Sequence, residues 1–155
     1  MKRRLRSGHN WELVTGADLT DVRVQRQVLS YLRLAKPLVT VMAPRCDPFG
    51  PLGSRNRVLH PEAWQAAYAT AGPLAAFCAQ VAMLQMAEGR YFLVEQPYPS
   101  KLYEVAPWPD VRASPQCQRV VFHQCQVGLC IDGKPALKPT ELVANMEISL
   151  RPLPT

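Results

Sequence analysis

The sequence lacks an unbroken run of 18 apolar residues, and its basic start is not followed by an apolar stretch. A membrane-spanning helix needs about 18 or more consecutive apolar residues, and no such run occurs in the 155 residues. The start, Met1–Arg6, carries four basic residues and continues into polar residues 7–10, whereas a signal peptide would continue into an apolar segment. We therefore expect an intracellular protein without a membrane partner.

The sequence lacks a paired set of cysteines, and no pattern typical of a structural metal site is present. The five cysteines form an odd number without a secretory signal, which predicts free thiols in a reducing compartment. A structural zinc site usually shows two close ligand pairs, and the spacing of Cys117, His123, Cys125 and Cys130 does not. We expect no metal, and we expect Cys125 to be a buried free thiol in a strand-like apolar stretch.

The composition is that of a packed domain. Hydrophobic residues make up 48% of the chain and charged residues 19%, so long-range disorder is excluded as the main state. The net charge is +6. We predict a basic, flexible tail over 1–10 and a single α/β domain over 11–155. The basic start can contact phosphate groups, but a solvated tail or a localisation signal fits the same residues.

Hydrophobic periodicity and the spread of 15 prolines predict alternating helices and strands. The run Leu38–Met42 is of the kind that parallel sheets bury on both faces, and Gly72-Pro73 should kink or split the long helix that contains it. The predicted elements are a helix from Thr20 or Asp21 to about 34, a strand over 38–42, a loop over 43–59, a helix over 61–88, a strand over 90–95, a loop with room for a short helix over 100–113, a strand over 119–122, a tight turn at 132–133 and a last strand over 141–144. This order predicts an open, mostly parallel, Rossmann-like sheet flanked by helices.

Two chemically capable side chains follow neighbouring strands of this predicted sheet, Cys46 after the first and Glu95 at the end of the second. Ligands of open α/β sheets bind outside the carboxyl ends of the strands. Arg45 would lower the pKa of the adjacent thiol and favour the nucleophilic thiolate, while desolvation would raise the pKa of Glu95. The pair fits covalent catalysis. The alternatives are a small loop residue at 46 and a carboxylate at 95 that caps a turn or pairs with an arginine.

The order Pro44-x-Cys46-x-x-Phe49, then Glu95-x-Pro97, resembles the DNA cytosine-5 methyltransferases, which have the class I S-adenosylmethionine-dependent methyltransferase fold. The resemblance implies that Cys46 adds to C6 of a flipped-out cytosine and that Glu95 contacts its N3. The methyl group would pass from S-adenosylmethionine to C5. Asp18 would lie near the adenine of the cofactor, with Pro44 also at the cofactor. The stretches 122–128 and 138–142 resemble later parts of divergent members, so that the likeness covers roughly 11–150.

The sequence also departs from that family. Arg45 stands where the family has a second proline before the thiol, and Gln96 stands where it has asparagine. The family's first strand and its Phe-x-Gly-x-Gly loop have no counterpart. Because that strand lies beside the equivalent of Leu38–Met42, we expect an incomplete sheet with an unprotected edge there. We also find no room for a target-recognition domain.

The positive charge near the predicted site favours nucleic acid as the binding partner. Arg45, Arg55 and Arg57 lie in and after the Cys46 loop, and such charge attracts phosphate without reading sequence. DNA is therefore the expected partner, with a further chain segment completing the sheet. The function stays open between a degenerate or incomplete cytosine-5 methyltransferase domain, a non-catalytic nucleic-acid-binding or protein-interaction module, and a fragment of a larger polypeptide.

Overall fold

The computed structural model describes residues 6–148. Met1–Leu5, half of the predicted tail, lie outside these described residues, as do residues 149–155. The chain divides into two compact units, one ending at Leu38 and the other beginning at Val39.

The first unit is built around helix α1, Val22–Ala35. Its start confirms the prediction, because the Asp21 carboxylate caps the helix by accepting a hydrogen bond from the Arg23 backbone N–H at 2.8 Å. Val28 and Leu32 are its buried residues and lie on one face of the helix. A short 3-10 helix, Leu13–Thr15, precedes α1 and ends at Gly16, whose φ of 83° suits glycine.

The second unit contains the sheet and three further α-helices. Its elements are β1 (Val39–Met42), α2 (Pro51–Leu59), α3 (Pro61–Ala87), β2 (Tyr91–Pro97), a 3-10 helix (Lys101–Glu104), α4 (Trp108–Ala113), β3 (Gln118–His123), a second 3-10 helix (Gln124–Val127), β4 (Cys130–Ile131), β5 (Lys134–Pro135) and β6 (Pro139–Ala144). The predicted helices and strands are thus confirmed, with strand ends shifted by one to two residues. The predicted loop over 43–59 is wrong in its second half, where Pro51 begins α2 at a position that tolerates proline.

The four-stranded sheet is mixed, with the order β1-β2-β6-β3. β1 and β2 are parallel, because the chain between them crosses over through α2 and α3. β6 is antiparallel to both β2 and β3. The chain from β3 to β6 returns through the β4–β5 hairpin, which turns at Asp132-Gly133 as predicted, without a crossover helix. The fold class is therefore α/β with a mixed sheet, in which one of the three strand pairs is parallel.

Strand β1 lies at the edge of this sheet, so the prediction that it is buried on both faces is wrong. Within the described residues it pairs with β2 alone. Val39 and Val41 are exposed, Val41 by 68%, whereas Thr40 and Met42 are half-buried. The expectation of an edge at this strand is confirmed.

Helix α3 packs on the sheet and forms the core with it. Four alanines on one face, Ala71, Ala75, Ala79 and Ala82, allow the helix to approach the buried Phe92 and Val94 of β2 closely. Trp108 of α4 is fully buried, and its indole N–H donates to the Ala75 carbonyl at 2.8 Å. The helix runs through Pro73 without a break, so of the two predicted effects, a kink or a split, the split is wrong.

By length and composition alone, α3 could also cross a membrane. An 18-residue window of it has a mean hydropathy of 1.3, and 44% of that window is buried in the fold. The core helix of a globular domain meets the same criterion, which makes it weak evidence for a membrane segment.

Candidate functional site

The loop that carries Cys46 leaves β1 and turns sharply into α2. The Cys46 carbonyl accepts hydrogen bonds from the backbone N–H groups of Phe49, at 3.0 Å, and Gly50, at 3.1 Å. Phe49 is buried in the core and anchors the turn. Cys46 itself is a half-buried free thiol. The loop is thus a fixed turn that leaves part of the thiol accessible.

The backbone of helix α2 lies directly against the backbone of this loop at Gly53. A Cβ atom at residue 53 would lie 2.4 Å from the carbonyl carbon of Pro48 and 2.5 Å from the carbonyl oxygen of Asp47. Glycine is the residue type that permits such an approach. Gly53 therefore positions the Cys46 loop, and sequence reasoning missed it because α2 was not predicted.

Arg45 pairs with a carboxylate of its own loop. Its Nε donates to Asp47 Oδ1 at 2.6 Å and its Nη2 to Asp47 Oδ2 at 3.0 Å, in a two-pronged ion pair that is about half exposed. The charge expected to act on the Cys46 thiol is therefore shared with a nearby anion. Activation of the thiol by Arg45 stays a prediction.

Glu95 lies within β2, because the strand continues to Pro97 and does not end at residue 95 as predicted. It pairs in register with Leu142 of β6 and is half-buried. Its Oε1 accepts a long hydrogen bond, 3.5 Å, from Nε2 of Gln124, which also donates to Thr140 Oγ1 at 3.0 Å. Glu95 therefore stands beside amide and hydroxyl groups.

Gln96 joins the Cys46 loop to the strand that carries Glu95. Its side chain is 1% exposed, and its Nε2 donates to the Pro44 carbonyl at 2.8 Å while its Oε1 accepts from Ser100 Oγ at 3.2 Å. Cys46 and Glu95 thus follow the paired ends of β1 and β2, Met42 and Val94, at one edge of the sheet. This connection is made by the side-chain amide of Gln96, the residue that stands where the family it resembles has asparagine.

A buried carboxylate next to Gln96 was missed by sequence reasoning. Glu141 of β6 is 2% exposed, and its oxygens accept from Arg119 Nε at 2.8 Å and from the Ser100 backbone N–H at 3.2 Å. The bond to Glu141 raises the pKa of Arg119, whose guanidinium also lies 5.0 Å from the ring centre of Tyr98. The sequence signal was a lone acid in an apolar strand, the same pattern that drew attention to Glu95.

The Tyr103 hydroxyl is buried near this cluster and has no hydrogen-bond partner among the described residues. Burial, and then the charge of Glu141, raise the pKa of Tyr103. Arg112 lies over the ring at 5.5 Å and opposes that shift.

An open groove of about 330 Å³ lies beside the Cys46 loop and was not predicted. Its lining combines aromatic rings with two cations and one carboxylate, namely Phe49, Trp64, Tyr68, Arg57, Lys101 and Glu104. Arg55 and Arg57, both predicted to bind nucleic acid, are exposed on α2, and the Arg57 guanidinium lies 5.2 Å from the ring centre of Trp64. Arg57 therefore lines the groove, together with Trp64.

Asp18 belongs to the first unit and closes the turn before α1. Its Oδ1 accepts from the backbone N–H of Thr20 at 2.9 Å and from the Thr20 hydroxyl at 2.7 Å. These hydrogen bonds lower the pKa of Asp18. The carboxylate that was expected near the cofactor adenine therefore has a local structural partner.

The cysteines are free thiols in every case, as predicted. Cys125 lies half-buried in the 3-10 helix Gln124–Val127, so its predicted place in a strand is wrong: the hairpin to β6 begins there. Cys78 of α3 packs against the core, and burial raises the pKa of its thiol to about 12. Between residues 6 and 148 no three His, Cys, Asp or Glu side chains come together as metal ligands.

Comparison with known proteins gives no match: no family model, curated protein or solved structure resembles this chain at a significant level.

Proposed function

We propose that this chain is a degenerate or incomplete relative of the DNA cytosine-5 methyltransferases, which keeps the base-facing half of the site and does not transfer methyl groups unaided. In this proposal Cys46 is the residue placed to add to C6 of cytosine, and Glu95 is the residue placed to hold N3. DNA is the partner.

The observation that carries the proposal is the hydrogen bond from Gln96 to Pro44. It joins the two motifs of the resemblance, Pro-x-Cys and Glu-x-Pro, through side-chain and main-chain atoms of the motifs themselves. Cys46 follows β1, and Glu95 lies in β2 just beyond Val94, the last residue of β2 that pairs with β1. This supports the proposal, because ligands of open α/β sheets bind near the carboxyl ends of parallel strands.

The Rossmann-like part of the proposal rests on β1 and β2. In the order 3-2-1-4-5-6 of that fold, strand 1 lies beside strand 4, and strand 4 beside strand 5. If β1 and β2 correspond to strands 4 and 5, the missing first strand would lie along the free edge of β1, where Val39 and Val41 are exposed. The antiparallel β6 departs from the fully parallel form of that order.

Each residue that the resemblance places at S-adenosylmethionine already makes hydrogen bonds within its own unit of the fold. The Asp18 carboxylate is engaged by Thr20, the Pro44 carbonyl accepts from Gln96, and the sequence has no Gly-rich loop to approach the cofactor. We therefore derive no transfer step. The exposed edge of β1 favours a second possibility, in which another chain segment adds the missing strand and with it the cofactor half.

The test is covalent trapping on a duplex that carries 5-fluorocytosine, with and without S-adenosylmethionine. Wild type and Cys46→Ser should bind the duplex with equal affinity, and neither should form an adduct that survives a denaturing gel. An adduct that requires S-adenosylmethionine and disappears in Cys46→Ser would show a complete enzyme and overturn the proposal. Failure of both proteins to bind any nucleic acid would favour a protein-interaction module instead.

A further inference from the structure

The groove beside the Cys46 loop is built from rings that are held in place. Trp64 and Tyr68 of α3 stack with ring centres 5.0 Å apart and an angle of 23° between planes, and Phe49 meets Tyr68 edge-on at 5.8 Å. The Trp64 indole N–H donates to the Pro48 carbonyl at 3.1 Å. Gly72 lies close under Tyr68, since a Cβ there would be 3.1 Å from the ring. The rings are therefore preorganised.

Trp64 and Tyr68, unlike Phe49, lie outside the buried core. Tyr68 is 36% exposed and Trp64 is half-buried, whereas Trp108, the tryptophan of the core, is completely buried. The Arg57 guanidinium lies over Trp64, so that the stack continues as a planar cation. Exposed aromatic and guanidinium planes are the surfaces on which unpaired bases stack.

The charge of the groove suits a polyanion. Arg57 and Lys101 line it, with Glu104 as the one acid of the lining. A cationic groove with stacked rings is the usual combination in sites that bind single strands with little sequence preference.

We propose that this groove binds single-stranded nucleic acid, with a base stacked against the Tyr68–Trp64–Arg57 stack and a phosphate near Lys101. Paired bases in a duplex do not expose their faces, so the groove favours an unpaired strand. The inference rests on the proposed function for its nucleic-acid partner, but it needs neither Cys46 nor a methyl donor.

The experiment measures the fluorescence anisotropy of a labelled 12-nucleotide strand of mixed sequence, titrated with the full chain at several salt concentrations. Tyr68→Leu should weaken binding roughly ten-fold, because it removes a stacking plane, and Tyr68→Phe should keep the affinity. Lys101→Gln should lower the slope of log K against log salt by about 0.7, the value for one phosphate contact on a single strand. Lys134→Gln, an exposed cation on β5, is the matched control and should change neither.

Three results would overturn the inference: equal or tighter binding of the same sequence as a duplex, unchanged affinity in Tyr68→Leu, or a mononucleotide that competes as well as the strand. Thermal melts check that Tyr68→Leu is folded, and the salt slope of Lys101→Gln gives a test that does not depend on that variant. The groove is tested on the 12-nucleotide strand and the proposed function on the 5-fluorocytosine duplex, so loss of the groove and failure of the proposed function are read separately.

Discussion

At the scale of single residues, Glu141 and Arg119 form an ion pair of unequal burial. Glu141 is almost fully buried, whereas the Arg119 side chain is 40% exposed. Removing the cation leaves a buried carboxylate with one hydrogen bond, from the Ser100 backbone N–H, whereas neutralising the acid leaves a cation that water can still reach.

We therefore predict that Arg119→Met lowers the free energy of unfolding by about 1–3 kcal/mol, and that Glu141→Gln lowers it by less. Both losses should be smaller than those seen when a fully buried ion pair is broken, because water screens the exposed side of Arg119. The double variant should be more stable than Arg119→Met alone. Urea denaturation of the three variants measures this. A larger loss in Glu141→Gln than in Arg119→Met would contradict the account of the pair.

The residue scale also shows where sequence reasoning stops. Cys46 was predicted to follow the first strand of the sheet, and it does. Glu95 was predicted to end the second strand, but it lies within β2, which continues to Pro97. The bond between Gln96 and Pro44 was not foreseen, because it joins positions 52 residues apart. Glu141 was not foreseen either, since nothing in an isolated strand says which of two acids, at 95 and 141, receives an arginine from the neighbouring strand.

At the scale of elements, α2 and the Cys46 loop act as one unit through Gly53. A methyl group at residue 53 would overlap with the backbone of residues 47 and 48, which is not free to move like the end of a side chain. At Gly50, in contrast, a Cβ would meet the Cys46 carbonyl oxygen at an ordinary 3.7 Å, and φ is −78°.

We predict that Gly53→Ala lowers the free energy of unfolding by about 1–3 kcal/mol, as overpacked sites do, and changes the rate at which Cys46 is alkylated. Gly50→Ala is the matched control and should cost less than about 1 kcal/mol, because residue 50 is the N-cap of α2, a position where alanine is somewhat worse than glycine. Denaturation and thiol-labelling mass spectrometry provide the two measurements. Equal effects in both variants would show that the close approach does not position the loop.

The helices and strands whose own sequence carries a cap or a clear hydrophobic pattern were predicted. Features that depend on packing against other elements were not. Helix α1 has its cap and periodicity, and α3 has its run of alanine, leucine and methionine. Helix α2 has no such signal, because it contains Gly53 and leaves its Leu52, Val58 and Leu59 exposed; it packs against α3. The β-branched sequence of β1 indicates a strand but not that one side of it stays unpaired.

At the scale of the whole molecule, the α/β class followed from the order of elements, but the direction of β6 did not. The turn at Asp132-Gly133 was recognised, yet a hairpin between β3 and β6 reverses the chain and makes the sheet mixed. The groove of Phe49, Trp64 and Tyr68 needs α2, α3 and the 3-10 helix after β2 together, so no segment of sequence predicts it alone.

The central claim, that the chain lacks the cofactor half of a methyltransferase site, is tested most directly by thermal unfolding with and without saturating S-adenosylhomocysteine. A ligand that binds the native state alone, at about 100 times its dissociation constant, adds ~2.7 kcal/mol, which for a chain of this length raises Tm by roughly 5 to 10 °C. The account predicts a cooperative melt whose midpoint does not move. A shift of that size would show that a cofactor site exists without the Gly-rich loop, and would contradict the claim.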